Sequence, residues 1–307
     1  MAAAPVSFVS PGGAPLCGIL HAAGSEPSAT AIVILSPGIK NRVAPHRLYV
    51  KMARRFESLG YDVLRFDPEG LGDSGGEIGF ETAADLYGSI QRGRFAADTR
   101  AALDWMRAAR GTQRFVLSGL CGGAITGLHA GQNDARVVGL LGLGIPVILD
   151  GTDVDKRRHL TDGQLAGLRK GYLKRVFRLE SLIRLVTFRS DIRLIWKSLT
   201  QPLKASKRPE APDAEQGSNV NPTFAPAYDR FLTGGRKLLL VFSESDRLYW
   251  EYKEKFEAHN RSLVDRHAAA SRIHVTPDAN HIFSFREWQE DMLHAAVSWL
   301  NENFPLN

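Results

Sequence analysis

Of the two cysteines in this 307-residue chain, one stands where a nucleophile would. Cys121 lies in Phe115-Val116-Leu117-Ser118-Gly119-Leu120-Cys121-Gly122-Gly123-Ala124, which reads as a buried strand, a very tight turn and a helix start. A strand that turns at once into a helix pinches the backbone around the central residue. Side chains two positions to either side collide there, so Gly119 and Gly123 suit those sites. The central side chain then points off the end of the sheet, above the free N–H groups and partial positive charge of a helix N-terminus. That setting favours a thiolate and a developing oxyanion. A glycine-rich turn around a small buried cysteine looks the same in isolation. The rest of the chain therefore has to supply a base.

The base in turn needs an orienting acid. In an open sheet of parallel strands both belong in loops at the carboxyl ends of strands. His281 follows the strand-like Ile273–Thr276, in Pro277-Asp278-Ala279-Asn280-His281, and Asp246 follows Leu238–Phe242, in Phe242-Ser243-Glu244-Ser245-Asp246. Taken singly, His281 is a loop histidine and Asp246 a helix cap. Taken together, the order Cys121, Asp246, His281 is that of a nucleophile–acid–histidine triad. Glu244 and Asp150 are weaker alternatives for the acid. Backbone N–H groups of Gly122 and Ile39 are the expected oxyanion donors, and Arg42 and His46, just beyond Ile39, are candidates for the pocket entrance.

The elements that must position these residues alternate along the chain. Runs at 6–10 and 16–21, separated by Pro11-Gly12-Gly13, suggest an opening hairpin, with Cys17 a packing residue in its second strand. Ala31–Leu35 is apolar throughout, as in a strand covered on both faces. Helical spacing of Leu48, Met52, Phe56 and Leu59 predicts a helix from about Pro45 to Leu59. Asp62–Phe66 is the next strand, followed by the turn-rich loop 67–76. A helix at 96–109, the elbow strand, a strand at 137–143, a strand at 237–242, mainly helical chain at 250–270 and a last helix at 288–301 complete the alternation. The fold class is α/β, a doubly wound, mostly parallel sheet built from residues 1–149 and 233–307. Residues 150–232 show helical stretches and no convincing strand, and read as a helical lid inserted after the strand that follows the elbow.

The loop Asp67-Pro68-Glu69-Gly70-Leu71-Gly72-Asp73-Ser74 and the triad order resemble those of the α/β-hydrolases over nearly the whole chain. Closer still, Asn41-Arg42-Val43-x-x-His46-Arg47, Leu64-Arg65-Phe66-Asp67, Gly119-Leu120-Cys121 and Gly171-Tyr172-Leu173-Lys174 are similar to the exosortase A system-associated hydrolases, which also carry cysteine at the elbow. Dienelactone hydrolases and polyhydroxyalkanoate synthases are more distant relatives with that feature. Many α/β-hydrolases have His-Gly where this chain has Pro37-Gly38, a change that a backbone oxyanion donor tolerates. The resemblance implies an enzyme that cleaves an ester or thioester through an acyl-cysteine. Transfer of the acyl group to a second acceptor, or mere ligand binding on the same fold, are the alternatives.

Composition narrows the remaining classes. A 44% hydrophobic and 23% charged chain is ordinary for a globular protein. No apolar run approaches the ~20 residues of a membrane span, and Met1-Ala2-Ala3-Ala4-Pro5 lacks the form of a signal peptide. Two cysteines make no disulfide framework, so a cytoplasmic setting is expected. Neither zinc-ligand spacing nor a phosphate loop is present, and no metal or cofactor is implied. The net charge of +6 is uneven: Lys156–Arg208 holds 15 Lys or Arg against three acids, a local +12, so the remainder nets −6. A basic segment on an acidic body is not a nucleic-acid binder's pattern. It suits a small acyl substrate presented on coenzyme A or an acyl carrier protein, or peripheral contact with an anionic membrane. Tyr172 and Arg175 in that segment are the lid's candidates for substrate binding.

Overall fold

The computed structural model describes residues 3–79, 82–149 and 219–306. Eight strands form one sheet: β1 (Ala4–Val9), β2 (Pro15–His21), β3 (Thr30–Leu35), β4 (Val63–Phe66), β5 (Arg114–Leu120), β6 (Val137–Leu143), β7 (Lys237–Ser243) and β8 (Ser271–Thr276). Their order across the sheet is β1-β2-β4-β3-β5-β6-β7-β8. β1 and β2 form the opening antiparallel hairpin, β2 joins β4 antiparallel, and every later pairing is parallel.

Alternation along the strands divides the core into two layers. Val33, Leu35, Phe115, Leu117, Leu140, Leu238 and Leu240 face one side. There they meet α3 (Ala96–Arg110), through Leu103 and Met106, and α4 (Gly122–Gly131), through Ile125 and Leu128. Ile32, Ile34, Val116, Leu120, Leu141 and Leu239 face the other. They pack on α1 (Leu48–Glu57), through Tyr49, Met52 and Phe56, and on the last helix, Arg286–Asn303, through Met292, Trp299 and Leu300. β3, apolar from Ala31 to Leu35, and β4, apolar but for Arg65, are buried at every position and so covered on both faces. With helices on either side, each parallel strand delivers its carboxyl end to the same edge of the sheet.

Two helices were not evident from the sequence. α2 (Ala83–Gln91) starts at Thr82, whose hydroxyl accepts from Asp85 N–H at 3.1 Å. The other, α5 (Phe224–Thr233), corrects the expected lid boundary. Residues 220–232 fold with the core, because Phe224, Ala227, Tyr228 and Phe231 form a helical stripe buried against the α4 layer. Met1–Asp155 and Val220–Asn307 belong to one compact unit. Residues 150–218, where the rest of the expected lid falls, lie outside the described residues, and Asp150, Tyr172 and Arg175 with them. Where this unit's chain breaks off and resumes, Ile148 and Val220 form a β-bridge. Asn221 N–H donates to the Val147 carbonyl at 2.8 Å, and Gln91 Nε2 donates to the Ile148 carbonyl at 2.8 Å.

Candidate active site

Leu35, Gly119 and Gly142 lie in register on adjacent strands, so β3, β5 and β6 end together at the turn that carries Cys121. The turn is as tight as the glycine spacing requires. A Cβ on Gly119 would stand 2.6 Å from the Gly123 carbonyl carbon, and one on Gly123 would run into the Leu35 carbonyl oxygen. Cys121 itself has φ 53° and ψ −111°, a conformation an L-residue adopts only under constraint. It is the N-cap of α4, and its carbonyl accepts from Ala124 N–H at 3.0 Å while its N–H donates to the Leu143 carbonyl at 2.8 Å. Behind it, Leu120 N–H donates to the hydroxyl of the buried Tyr49 at 2.6 Å. Burial pushes that phenol well above its ordinary pKa, so the hydroxyl stays neutral.

His281 and Asp246 reach the same place from the loops after β8 and β7. His281 Nδ1 and Asp246 Oδ2 are 2.6 Å apart, and the imidazole is near enough to Cys121 for the sulfur to act on its pKa. Burial alone would lower the imidazole pKa. The bond to Asp246 and the nearby Cys121 sulfur outweigh it and push the value up to about 10, so the ring carries a proton on both nitrogens at neutral pH. The His281 side chain is 36% exposed, open enough to meet a leaving group, whereas that of Asp246 is 7% exposed. Asp246 divides its oxygens: Oδ1 caps the short α6 (Arg247–Glu251) by accepting from Leu248 N–H at 3.3 Å, and Oδ2 takes the imidazole. Asp246 is thus at once a helix cap and the hydrogen-bond partner of the imidazole. Glu244, the alternative acid, instead accepts from Asp278 N–H at 2.9 Å.

The loop after β3 is packed directly on the elbow. A Cβ on Gly122 would fall 2.6 Å from Gly38 Cα, and one on Gly38 (φ +69°) would fall 2.7 Å from the Tyr87 ring. Glycine is needed at 122 because a side chain would meet backbone, and at 38 because of the positive φ and the Tyr87 ring. Neither Gly122 N–H nor Ile39 N–H is donated to another group of the described residues. Arg42 is engaged elsewhere. Its guanidinium pairs with the buried carboxylate of Asp67 and, at 2.5 Å, with Asp73. His46 is exposed, with φ 55°. The structure thus brings Cys121, His281 and Asp246 together, ties Arg42 to the loop after β4, and leaves His46 at the surface. Among the described residues no group of three His, Cys, Asp or Glu side chains could hold a metal ion, and no helix is long and apolar enough to cross a membrane.

The α/β-hydrolase family model matches residues 33–295, and the chain belongs to that family. Among solved structures it is similar to the esterase Pf2001 of Pyrococcus furiosus (16% identity over 98% of this chain and 91% of that one, TM-score 0.57). It is also similar to XC6422 of Xanthomonas campestris, a serine hydrolase without a lid (16%, 97% and 95%, TM-score 0.53). A third is the α/β hydrolase GrgF of Penicillium sp. (17%, 99% and 99%, TM-score 0.58). At such identities the likeness is one of fold. A search of curated protein sequences finds no match to this chain.

Proposed function

We propose that this protein is a hydrolase that cleaves an ester or thioester through an acyl-cysteine formed on Cys121. The observation that carries the reading is the hydrogen bond between Asp246 and His281 beside Cys121, the cysteine standing at a strand–helix turn. Membership of the α/β-hydrolase family, and a fold shared with esterases, agree with it.

In this mechanism the Cys121 thiolate attacks the carbonyl carbon and the carbonyl π pair moves onto oxygen. Gly122 N–H and Ile39 N–H hold that oxyanion, which is stabilised most by donors already in place before charge develops. The tetrahedral species collapses, the C–O or C–S bond breaks, and the His281 imidazolium gives its Nε2 proton to the leaving alkoxide or thiolate. The now neutral imidazole takes a proton from water, whose oxygen attacks the thioester. Collapse expels the Cys121 thiolate, the acid is released, and the imidazolium is restored. Asp246 fixes the ring's orientation throughout. An amine, thiol or alcohol in place of water turns the same sequence into acyl transfer. The basic segment 156–208 would present the acyl group by docking an anionic carrier such as coenzyme A or an acyl carrier protein, with Tyr172 and Arg175 as contacts.

The test is intact-mass spectrometry after mixing with an activated ester, and then with a panel of acyl thioesters. A single acyl adduct is expected, located on Cys121 by peptide mapping and absent from Cys121→Ala. Failure of every ester and thioester to acylate Cys121 or turn over would leave a ligand-binding protein in place of an enzyme. Partition of the trapped acyl-enzyme between water and added amine or thiol separates hydrolysis from transfer.

A further inference from the structure

We infer that Asp67 is a positioning residue for the oxyanion loop: its buried carboxylate fastens both ends of the arch that carries Ile39 N–H. This rests on the acyl-cysteine reading above and assigns a role to a residue that touches neither substrate nor nucleophile. Asp67 directly follows the strand β4 and is fully buried. On the near side of the arch, Ser36 Oγ donates to the Phe66 carbonyl at 2.9 Å and lies 3.5 Å from Asp67 Oδ1. On the far side, Arg42 N–H donates to Asp67 Oδ1 at 2.5 Å, and the Arg42 guanidinium pairs with Oδ2. Both feet of the arch Ser36–Arg42 therefore stand on one carboxylate and its own strand. Its crown, Gly38, lies against Gly122.

The carboxylate is itself held. Asp73 N–H donates to Oδ2 at 3.1 Å, and Ser74 Oγ donates to the Asp67 carbonyl at 2.6 Å. A Cβ on Gly72 (φ +57°) would collide with Oδ2. From the other direction, the buried Arg65 donates through Nη1 to the Arg42 carbonyl at 3.3 Å and through Nε to His21 Nε2 at 3.1 Å. Arg42 is thus gripped by side chain, N–H and carbonyl together. An oxyanion donor on a loop is useful only when its position is fixed before charge develops, and a displacement of about 1 Å can cost on the order of 10²-fold in rate. This buckle supplies that fixity.

Two reactions at the same sulfur separate the role from general support of the fold. Acylation by a p-nitrophenyl ester passes through an oxyanion. Alkylation by iodoacetamide forms an S–C bond and expels iodide at a saturated carbon, with no oxyanion at all. Wild type, Asp67→Asn and Gly72→Ala are compared in both, the last variant crowding the carboxylate while keeping every charge. The expected result is acylation slower by about 10²-fold in both variants, with the Cys121 alkylation rate unchanged. Should Asp67→Asn fail to fold, Gly72→Ala decides. Unchanged acylation overturns the inference, as does an equal loss in both reactions, which would place Asp67 in support of the elbow as a whole. A wild-type protein that is alkylated yet never acylated would instead overturn the acyl-cysteine reading, and this inference with it.

Discussion

Gly119 and Gly123 stand so close across the Cys121 turn that a Cβ on the first would sit 2.6 Å from the carbonyl carbon of the second. The obstruction is backbone, which has no rotamer to give way. A methyl at either position must open the strand–helix turn or break the register of β5 with β3. Gly123→Ala, whose methyl meets the Leu35 carbonyl, is expected to destabilise the fold by about 1–3 kcal/mol or more. Urea unfolding measures the loss. A stability equal to wild type would mean that the turn is looser than described.

Asp246 offers a clean separation of cap from charge. Asparagine caps helices about as well as aspartate, so Asp246→Asn should keep the cap while slowing acylation and losing the stability linked to the His281 imidazolium. Asp246→Ala should lose the same rate and also about 1 kcal/mol of stability. His281→Ala, which removes the proton carrier outright, should lower acylation by about 10²–10⁴-fold, more than either. If Asp246→Asn acylates at the wild-type rate, the acid is another residue, with Asp150 the next to replace.

The pH dependence follows from His281. Its pKa stands near 10 in the folded protein against an ordinary 6.5. Because the folded value is the higher one, the stability contributed by the imidazolium is fully present below about pH 6.5 and is lost as pH rises through about 10. The ring's Hε1 resonance should therefore titrate near 10. In a Cys121→Ala, Asp246→Asn double variant, where burial acts alone, it should titrate below 6.5. The thermal-stability gap between wild type and His281→Gln should narrow over the same interval. A wild-type titration near 6.5 would contradict the pairing.

Salt discriminates the role of the basic segment. Electrostatic docking of an anionic acyl carrier weakens steeply with ionic strength, whereas turnover of a small neutral ester hardly responds. Charge reversal at Lys174, Arg175 and Arg178 should raise KM for the carrier-bound substrate and spare the neutral one. Parallel responses of the two substrates would remove the segment's charge from recognition.

The sheet, the elbow and the three residues gathered at its end are legible in sequence because each leaves a local trace. Buried strands read as unbroken apolar runs, and Gly119 and Gly123 mark a collision that only glycine relieves. Asp246 and His281 follow their strands at loop distance. What is not legible depends on partners distant in the chain. Tyr49 is one more apolar-face residue of α1 until its hydroxyl is found on Leu120 N–H, 71 positions away. Arg42 reads as a candidate for the pocket entrance until Asp67, 25 positions on, is seen to hold it. α5 has a stripe to be read, at 224, 227, 228 and 231, but Pro222 and Pro226 flank and enter its start and obscure it. Proline is compatible with a helix's first turn, where its missing N–H is not needed.

The Ile148–Val220 bridge means that the chain departs from the core and re-enters it through a single doorway, one strand-spacing wide. Gln91 and Asn221 form its frame: Asn221 Nδ2 donates to the Gln91 carbonyl at 2.7 Å, and Gln91 Nε2 donates to the Ile148 carbonyl. A segment attached this way behaves as a module. Because the frame belongs to the core, whatever lies between the two posts can be lengthened, recoloured in charge or exchanged without disturbing the register of β6 and β7.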